Sequence, residues 1–362
     1  MILQEREILI WLSHIGGINL KTIEAFKDYF GSLAELWNVD EKHLYQVLDK
    51  RRIIADKITQ NRNKSYLEKI QQKLLEENIK PITIGEDHYP DKLRDIYDPP
   101  YVIYIKGSLN LEKPLISIVG SRKASPYGKW AAYQFAKELS QWGIGVVSGL
   151  ALGIDTASHK GALENNGYTI GVLGCGIDKC YPTTNTAIMN KMIDSGCIMG
   201  EYSPGTPPLK HHFPARNRII SGISDGIIIV EAAEKSGALI TVDFALEQGK
   251  EIYALPGNIN QQQSRGTNLL IKDGAKILLG IEDILEDLEK KYPIRHQNTN
   301  KAKGQLSPLE EKILLTVKEG QPSIDHIAYK CGIKVNELSS ILTILELKGF
   351  ISQLPGKTFI AN

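Results

Sequence analysis

Residues Leu115–Gly128, LISIVGSRKASPYG, place a glycine, a hydroxyl and a guanidinium between an apolar run and a helix start. Leu115–Val119 is short and continuously apolar apart from Ser117, the texture of a strand buried on both faces of a parallel sheet. Gly120, Ser121 and Arg122 follow at once, and Pro126 stands near the start of a helix expected over Gly128–Trp142. The chemistry of such a turn is anion binding. The first N–H groups of a helix lack partners, the helix dipole favours negative charge, and glycine lets a backbone approach closely. Arg122 adds a fork of donors suited to phosphate. The turn is therefore expected to hold a phosphate.

A second stretch packs cations around an aromatic ring: Lys210-His211-His212-Phe213-Pro214-Ala215-Arg216-Asn217-Arg218. Binders of single-stranded nucleic acid use cations to track phosphates and aromatic faces to stack bases, at roughly 1–3 kcal/mol per base. Plainer readings stand beside this one. Phe213 is also suited to a core, Arg216 and Arg218 to fixing a loop through carbonyls, and Lys210 to a solvated surface after the rigid Pro204–Pro208 loop. The stretch follows a strand expected at Ile198–Gly200. It should rise on the same rim as Gly120–Arg122, and that shared location favours the binding role.

Other chemistries fail on pattern. No G-x-G-x-x-G follows the first core strand, and the next strand ends in Val147-Ser148-Gly149 without an acid for a ribose. No G-x-x-x-x-G-K-[ST] occurs. Ser148 lacks the spacing of a nucleophile elbow, and His211-His212 is not an H-E-x-x-H pair. No catalytic constellation, metal site or cofactor is expected. The four cysteines are scattered without a CxxC pair, which points to a reducing cytoplasm. The formal net charge is +1, so nucleic-acid binding must come from a local patch. No signal peptide and no apolar stretch of membrane-spanning length is expected.

The elements that position these residues alternate. Strands are expected at Leu115–Val119, Gly145–Ser148, Thr169–Leu173, Ile198–Gly200, Gly226–Val230, Glu251–Leu255 and Ala275–Leu278. Helices are expected between them at Asp155–Asn165, Thr183–Ser195, Asn217–Ile223 and Leu239–Gln248, with a last one at Ile281–Lys290. This is an α/β pattern, a doubly wound parallel sheet whose ligands sit beyond the carboxyl ends of its strands. The 362 residues divide into a helical segment 1–79, the sheet domain 80–289, a polar linker 290–304 and a segment 305–362. Within 1–79, Ile15-Gly16-Gly17-Ile18 between two short helices has a helix-hairpin-helix outline. Its glycines serve a tight helix–helix turn, and such a turn can also meet a DNA phosphate through its backbone. Arg51–Glu77 reads as a further long amphipathic helix or pair. Residues 305–362 outline a winged helix, with a Ser307/Glu310 capping box, three helices and a Pro355-Gly356-Lys357 turn between two strands. Its third helix, from Val335 to Lys348, carries Glu337 and Glu346 against Lys348 alone, which favours protein contact over DNA reading.

Together, several stretches in fixed order resemble the DprA/Smf family (DNA processing protein A). They are Val119–Arg122, Ser148–Leu163, Gly174-Cys175-Gly176 with Tyr181-Pro182, Phe213–Gly222, Glu231-Ala232 with Ser236–Thr241, and Ala254–Gly257. The resemblance implies an extended Rossmann-like sheet, with a SAM-like helical domain before it and a winged helix after it. It further implies a cytosolic homodimer that binds single-stranded DNA without sequence preference. Such proteins displace or bypass single-strand-binding protein and load a RecA-type recombinase during natural transformation. Carried over by position, Arg122 is the cation of the phosphate turn, with Gly120 and Ser121 as backbone donors. Lys210 stands three residues before the base-contacting Phe213, and Lys235 is placed to add a cation to the groove. The sheet also resembles that of nucleotide phosphoribohydrolases, in which Glu231 would be a candidate acid; its plainer reading is a helix N-terminal cap. A third possibility is a transcription regulator that works through the winged helix.

Overall fold

The computed structural model describes residues 3–48, 51–294, 306–320, 322–354 and 358–361. Helices open the chain: α1 (Glu5–Ile15), α2 (Leu20–Phe30), α3 (Leu33–Asn38), α4 (Glu41–Val47), α5 (Arg52–Asn61) and α6 (Lys64–Glu76). The long amphipathic run is a pair, α5 and α6. The break falls at Asn63, whose side chain accepts from the Tyr66 N–H at 2.9 Å and so starts a new helix. Trp11, Phe26 and Ile58 pack inside this bundle, and the same apolar cluster runs on into Tyr104, Leu173 and Met192 beneath it. The helical segment thus shares a core with the sheet.

The sheet region runs β1 (Lys80–Thr83), α7 (Asp91–Arg94), β2 (Val102–Gly107), β3 (Leu115–Val119), α8 (Pro126–Gln141), β4 (Gly145–Ser148) and α9 (Ile154–Glu164). It continues with β5 (Thr169–Leu173), α10 (Thr186–Ser195), β6 (Cys197–Gly200), α11 (His212–Ile223), β7 (Gly226–Ile229), α12 (Leu239–Glu247), β8 (Glu251–Ala254), α13 (Arg265–Lys272), β9 (Lys276–Ile277) and α14 (Glu282–Leu288). The strand order is β1-β2-β6-β5-β4-β3-β7-β8-β9. Pairing is parallel from β6 to β9, as the strand–helix alternation requires. The doubly wound parallel sheet is extended at one edge by two antiparallel strands. β2 pairs antiparallel with both β1 and β6, because no crossover helix joins β2 to β3.

Burial on both faces explains the apolar strands. Val119 of β3 faces α11 and α12 with Val147, Val172 and Ile229. Ile116 and Ile118, one step out of phase, face α8 and α9. β3 lies at the centre, with β4 on one side and β7 on the other, so the switch point and its crevice open beyond Val119. Two helices differ from expectation. α13 was not expected. In the fold Gly266 N–H is bonded to the Ala232 carbonyl at 2.8 Å, which ties this helix to the end of β7. α11 starts at His212, five residues before the expected Asn217, since Pro214 falls in the first turn where proline removes no helical bond.

The last segment is the expected winged helix, with α15 (Pro308–Lys318), α16 (Ile324–Cys331), α17 (Val335–Leu347), β10 (Ile351–Leu354) and β11 (Thr358–Ala361). It closes its own core with Ile313, Leu338, Leu342 and Phe359. The linker from 295 onward and the Pro355-Gly356-Lys357 turn lie outside the described residues. Among the described residues, no helix is long and apolar enough to cross a membrane. Glu310 anchors this segment. Its carboxylate accepts from Lys348 Nζ at 2.6 Å and from the Ser307 N–H at 2.7 Å, which hold its pKa down to about 2. A depressed carboxyl pKa stabilises the fold above the unfolded value and ceases to do so as pH falls through the folded value. Hydrogen exchange of the α15 amides should therefore be faster in Glu310→Gln than in the parent at pH 7. That difference should close between pH 4.5 and about 2.

Candidate nucleic-acid interface

A groove of about 780 Å³ opens at the carboxyl ends of β3, β4 and β5, walled by α11 and by the start of α12. Its chemistry follows from the early start of α11. Phe213, Arg216, Asn217 and Ile220 all line the groove, at the i, i+3, i+4, i+7 spacing that puts them on one helix face. Arg218, two residues from Arg216, must point elsewhere. It is buried against Glu201 at 2.5 Å and donates to the carbonyls of Asp98 at 2.9 Å and Ala215 at 3.0 Å. Reading Arg216 and Arg218 as neighbouring groove cations is therefore corrected. The expected helix begins only at Asn217, which leaves Arg216 outside it; the plainer reading of both residues, bonds to carbonyls, is the one the fold shows.

Arg216 lines the groove but is not free. Its guanidinium, 3% exposed, donates to the carbonyl of Gly149 at 2.8 Å and to that of Val172. These carbonyls stand at the ends of β4 and β5, so one side chain ties α11 to two strand ends. Gly149 is glycine for this reason, since a Cβ there would stand 2.5 Å from the guanidinium nitrogens. Asp155, at the start of α9, accepts from the Gly149 N–H at 3.1 Å and the Ala151 N–H at 3.3 Å. Burial raises the Asp155 pKa, and burial also pushes Arg216 down to about 10 despite the attraction of Asp155. For both groups desolvation outweighs mutual attraction.

The phosphate turn also differs from expectation. The start of α8 already holds an anion, the chain's own Glu231. Its carboxylate accepts from the Ser125 N–H at 2.8 Å and from the Ser125 hydroxyl, while Ser125 Oγ caps the Gly128 N–H at 2.9 Å. The Ser121 N–H is bonded to the Glu231 carbonyl at 2.8 Å, and Ser121 Oγ accepts from the Lys123 N–H. Gly120 has no room for a Cβ against Ile154 and the Glu231 backbone. Gly120 and Ser121 therefore shape the turn, with the Ser121 N–H already engaged. The part of the motif that faces outward is side chain. Arg122 and Lys123 are exposed on one bank of the groove and Lys210 on the other. Among the described residues, none of the three forms an ion pair, and the one carboxylate lining the groove is the buried Asp155.

Phe213 is half-buried, with the Arg122 guanidinium over its ring at 5.2 Å from the centroid. Lys123 and Tyr181 are among the lining residues that sequence reasoning missed. Lys123 was legible as the neighbour of Arg122. Tyr181, whose ring lies 5.6 Å from that of Phe213, is carried in from the loop after β5. Lys235 is exposed beside the lining residue Ser236 and does not itself line the groove. The Gly16-Gly17 turn, with φ of 74° and 76°, faces a cleft of about 320 Å³ shared with Asp98, Glu201 and Arg218. It serves as a tight turn against the sheet. His212 stacks on Tyr202 at 3.8 Å, and among the described residues no group of three or more His, Cys, Asp or Glu is placed to hold a metal.

Comparison with known proteins gives one answer. A family model described as DNA recombination-mediator protein A matches residues 80–289, and one described as DprA winged helix domain matches 297–357. The chain is 43% identical over 218 residues to DNA processing protein DprA of Bacillus subtilis, covering 60% of this chain and 73% of that one. It is 37% identical to Protein Smf of Escherichia coli, covering 76% and 75%. The X-ray structure of DNA processing protein A from Streptococcus pneumoniae superposes with a TM-score of 0.69 at 34% identity, over 79% of this chain and 99% of that one. DNA processing protein A from Helicobacter pylori, solved for its single-stranded DNA binding mode, superposes with a TM-score of 0.54 at 32% identity, over 60% and 99%.

The buried fork makes a prediction of its own. Arg216→Leu leaves Asp155 uncompensated and two carbonyls unpartnered, and should cost about 3–5 kcal/mol in urea unfolding. Arg122→Leu, at an exposed position, should change stability by about 0.5 kcal/mol or less.

Proposed function

The chain belongs to the DNA recombination-mediator protein A family, and on that premise we propose that its groove binds single-stranded DNA without reading sequence. Its role in DNA processing is that of a recombination mediator. Arg122, Lys123 and Lys210 act as phosphate contacts on the two banks, and Phe213 and Asn217 line the floor between them. The observation that carries this reading is the set of exposed cations, with no ion-pair partner among the described residues, beside aromatic rings. Cations supply affinity for the backbone, and ring faces supply contact with bases whatever their identity. Arg216 and Asp155 hold the rim and make no phosphate contact. Gly120, Ser121 and Arg218 shape the fold around the groove, and Lys235 adds long-range positive charge at its end.

The protein works as a binder rather than an enzyme. Glu231, the candidate acid, is 5% exposed and engaged by the N–H and hydroxyl of Ser125, the residue that caps α8. Residues 80–289 carry the DNA groove, 1–79 brace its loops, and 305–362 form a separate contact module. The acidic α17 and the engagement of Lys348 by Glu310 favour a protein partner for that module. A homodimer in the cytoplasm, handing DNA from single-strand-binding protein to a RecA-type recombinase during transformation, is the setting in which this groove acts.

The test is binding to a labelled single-stranded oligonucleotide and to its duplex across a salt series. Each lost phosphate contact lowers the slope of log K against log salt by about 0.7 for a single strand. Arg122→Ala with Lys210→Ala should lower it by about 1.4 while the melting temperature is kept. An unchanged slope would move the DNA path off this rim, and release of free base from a nucleotide would restore the enzyme reading.

A further inference from the structure

Resting on that reading, we propose that Tyr181 is a second, outer platform on which a nucleobase stacks, and that this contact sets the preference for single strands over duplex. Nothing in the charge pattern of the groove can do so, since a duplex offers the same phosphates. What a duplex withholds is the base face, which is already stacked on its neighbours.

Three observations converge on Tyr181. It is the more open of the two groove rings. Tyr181 is 46% exposed, whereas Phe213 is half-buried with a guanidinium over its ring. It leans on Phe213, with centroids 5.6 Å apart and planes 32° apart, so a base laid on its outer face continues a ladder begun by Arg122 and Phe213. Exposed apolar side chains also adjoin the groove-lining residues in sequence. Leu152 is 49% exposed and Leu209 is 42% exposed, next in sequence to the lining residues Ala151 and Lys210. Exposed apolar side chains beside cations suit a ligand with charged edges and flat apolar faces, which describes single-stranded nucleic acid.

The platform is preorganised. The loop carrying Tyr181 is laced to the loop that leads to Lys210. Gly176 N–H bonds the Thr206 carbonyl at 3.0 Å, and Gly205 N–H bonds Asp178 Oδ1 at 2.8 Å. On its other side Asn185 Nδ2 donates to the Leu150 carbonyl at 2.9 Å and to Thr156 Oγ1 at 2.8 Å, which ties it to the loop after β4. Lys73 of α6 reaches Asp178 at 3.3 Å and braces the whole from the helical segment. A ring held this way loses little freedom when a base lands on it.

The experiment measures dissociation constants of the full chain for a homothymidine oligonucleotide, the same strand carrying abasic sugars, and a duplex, across salt. Tyr181→Ala should weaken single-strand binding roughly five- to 150-fold. It should leave duplex binding and the salt slope unchanged, so the single-strand preference falls by the same factor. The loss should vanish on the abasic strand. Tyr181→Phe, which keeps the ring, should recover what Tyr181→Ala loses. Tyr181→Leu keeps apolar packing against Phe213 without a π face and should behave as Tyr181→Ala at an unchanged melting temperature. Wild-type affinity in Tyr181→Ala or Tyr181→Leu, equal loss in Tyr181→Phe, or a loss that persists on the abasic strand would overturn the proposal. If the Arg122/Lys210 double variant still lowers the slope in those cases, the groove stands and this inference alone fails.

Discussion

A buried guanidinium holds the binding rim in register. Arg216 reaches from α11 to the carbonyl ends of β4 and β5, and Asp155 holds the N–H groups of the loop between β4 and α9. Every other feature of the groove is placed relative to this junction. Phe213 sits one turn earlier on the same helix face, and Lys210 enters just before that helix. The loop from β5 to α10, with Tyr181, is fastened to the same loop after β4 through Asn185. Burying a charge this deeply costs several kcal/mol. The return is a rim in which side chains from three strand ends and one helix keep a common geometry.

The second constraint is an anion supplied from within. A parallel sheet aims helix N-termini at its carboxyl edge, and each is a potential phosphate site. At the central one, Glu231 fills that role and the cap of α8 is closed from inside. On the proposed reading, backbone donors are then no longer the means of holding a ligand, and the work passes to Arg122, Lys123 and Lys210 on the surface. This distinguishes a groove that tracks a polymer from a pocket that encloses one nucleotide. Side-chain cations on two banks leave the ends of the path open, whereas a closed N-terminal nest would hold one phosphate group.

The helical segment joins this design through its core. Its apolar cluster continues into Tyr104, Leu173 and Met192, and Lys73 crosses to Asp178 beside the groove loops. The winged helix, by contrast, closes its own core and spends Lys348, at the end of α17, on Glu310. A module with its own core can evolve a partner independently of the sheet. A segment that shares the core of the sheet is bound to the geometry of the site.

The sequence alone determined the strands of the sheet, most of its helices, the rim on which the groove opens and the family. These follow from local signals: apolar runs of strand length, capping residues, glycines at strand ends and a fixed order of motifs. It also determined Arg122, Lys210 and Phe213 as groove residues, because each lies in a short segment next to a strand end. Three matters were decided by the tertiary structure. The start of α11 at His212 separated Arg216 from Arg218, since residues two apart on a helix point to opposite sides. Contact between the ends of β3 and β7 made Glu231 the partner of Ser125, 106 residues away in the chain. Packing of the loop after β5 against the β4 and β6 loops brought Tyr181 to Phe213. Each depends on which chain segments become neighbours, and that is set by the global energy of burying two sheet faces rather than by any window of residues.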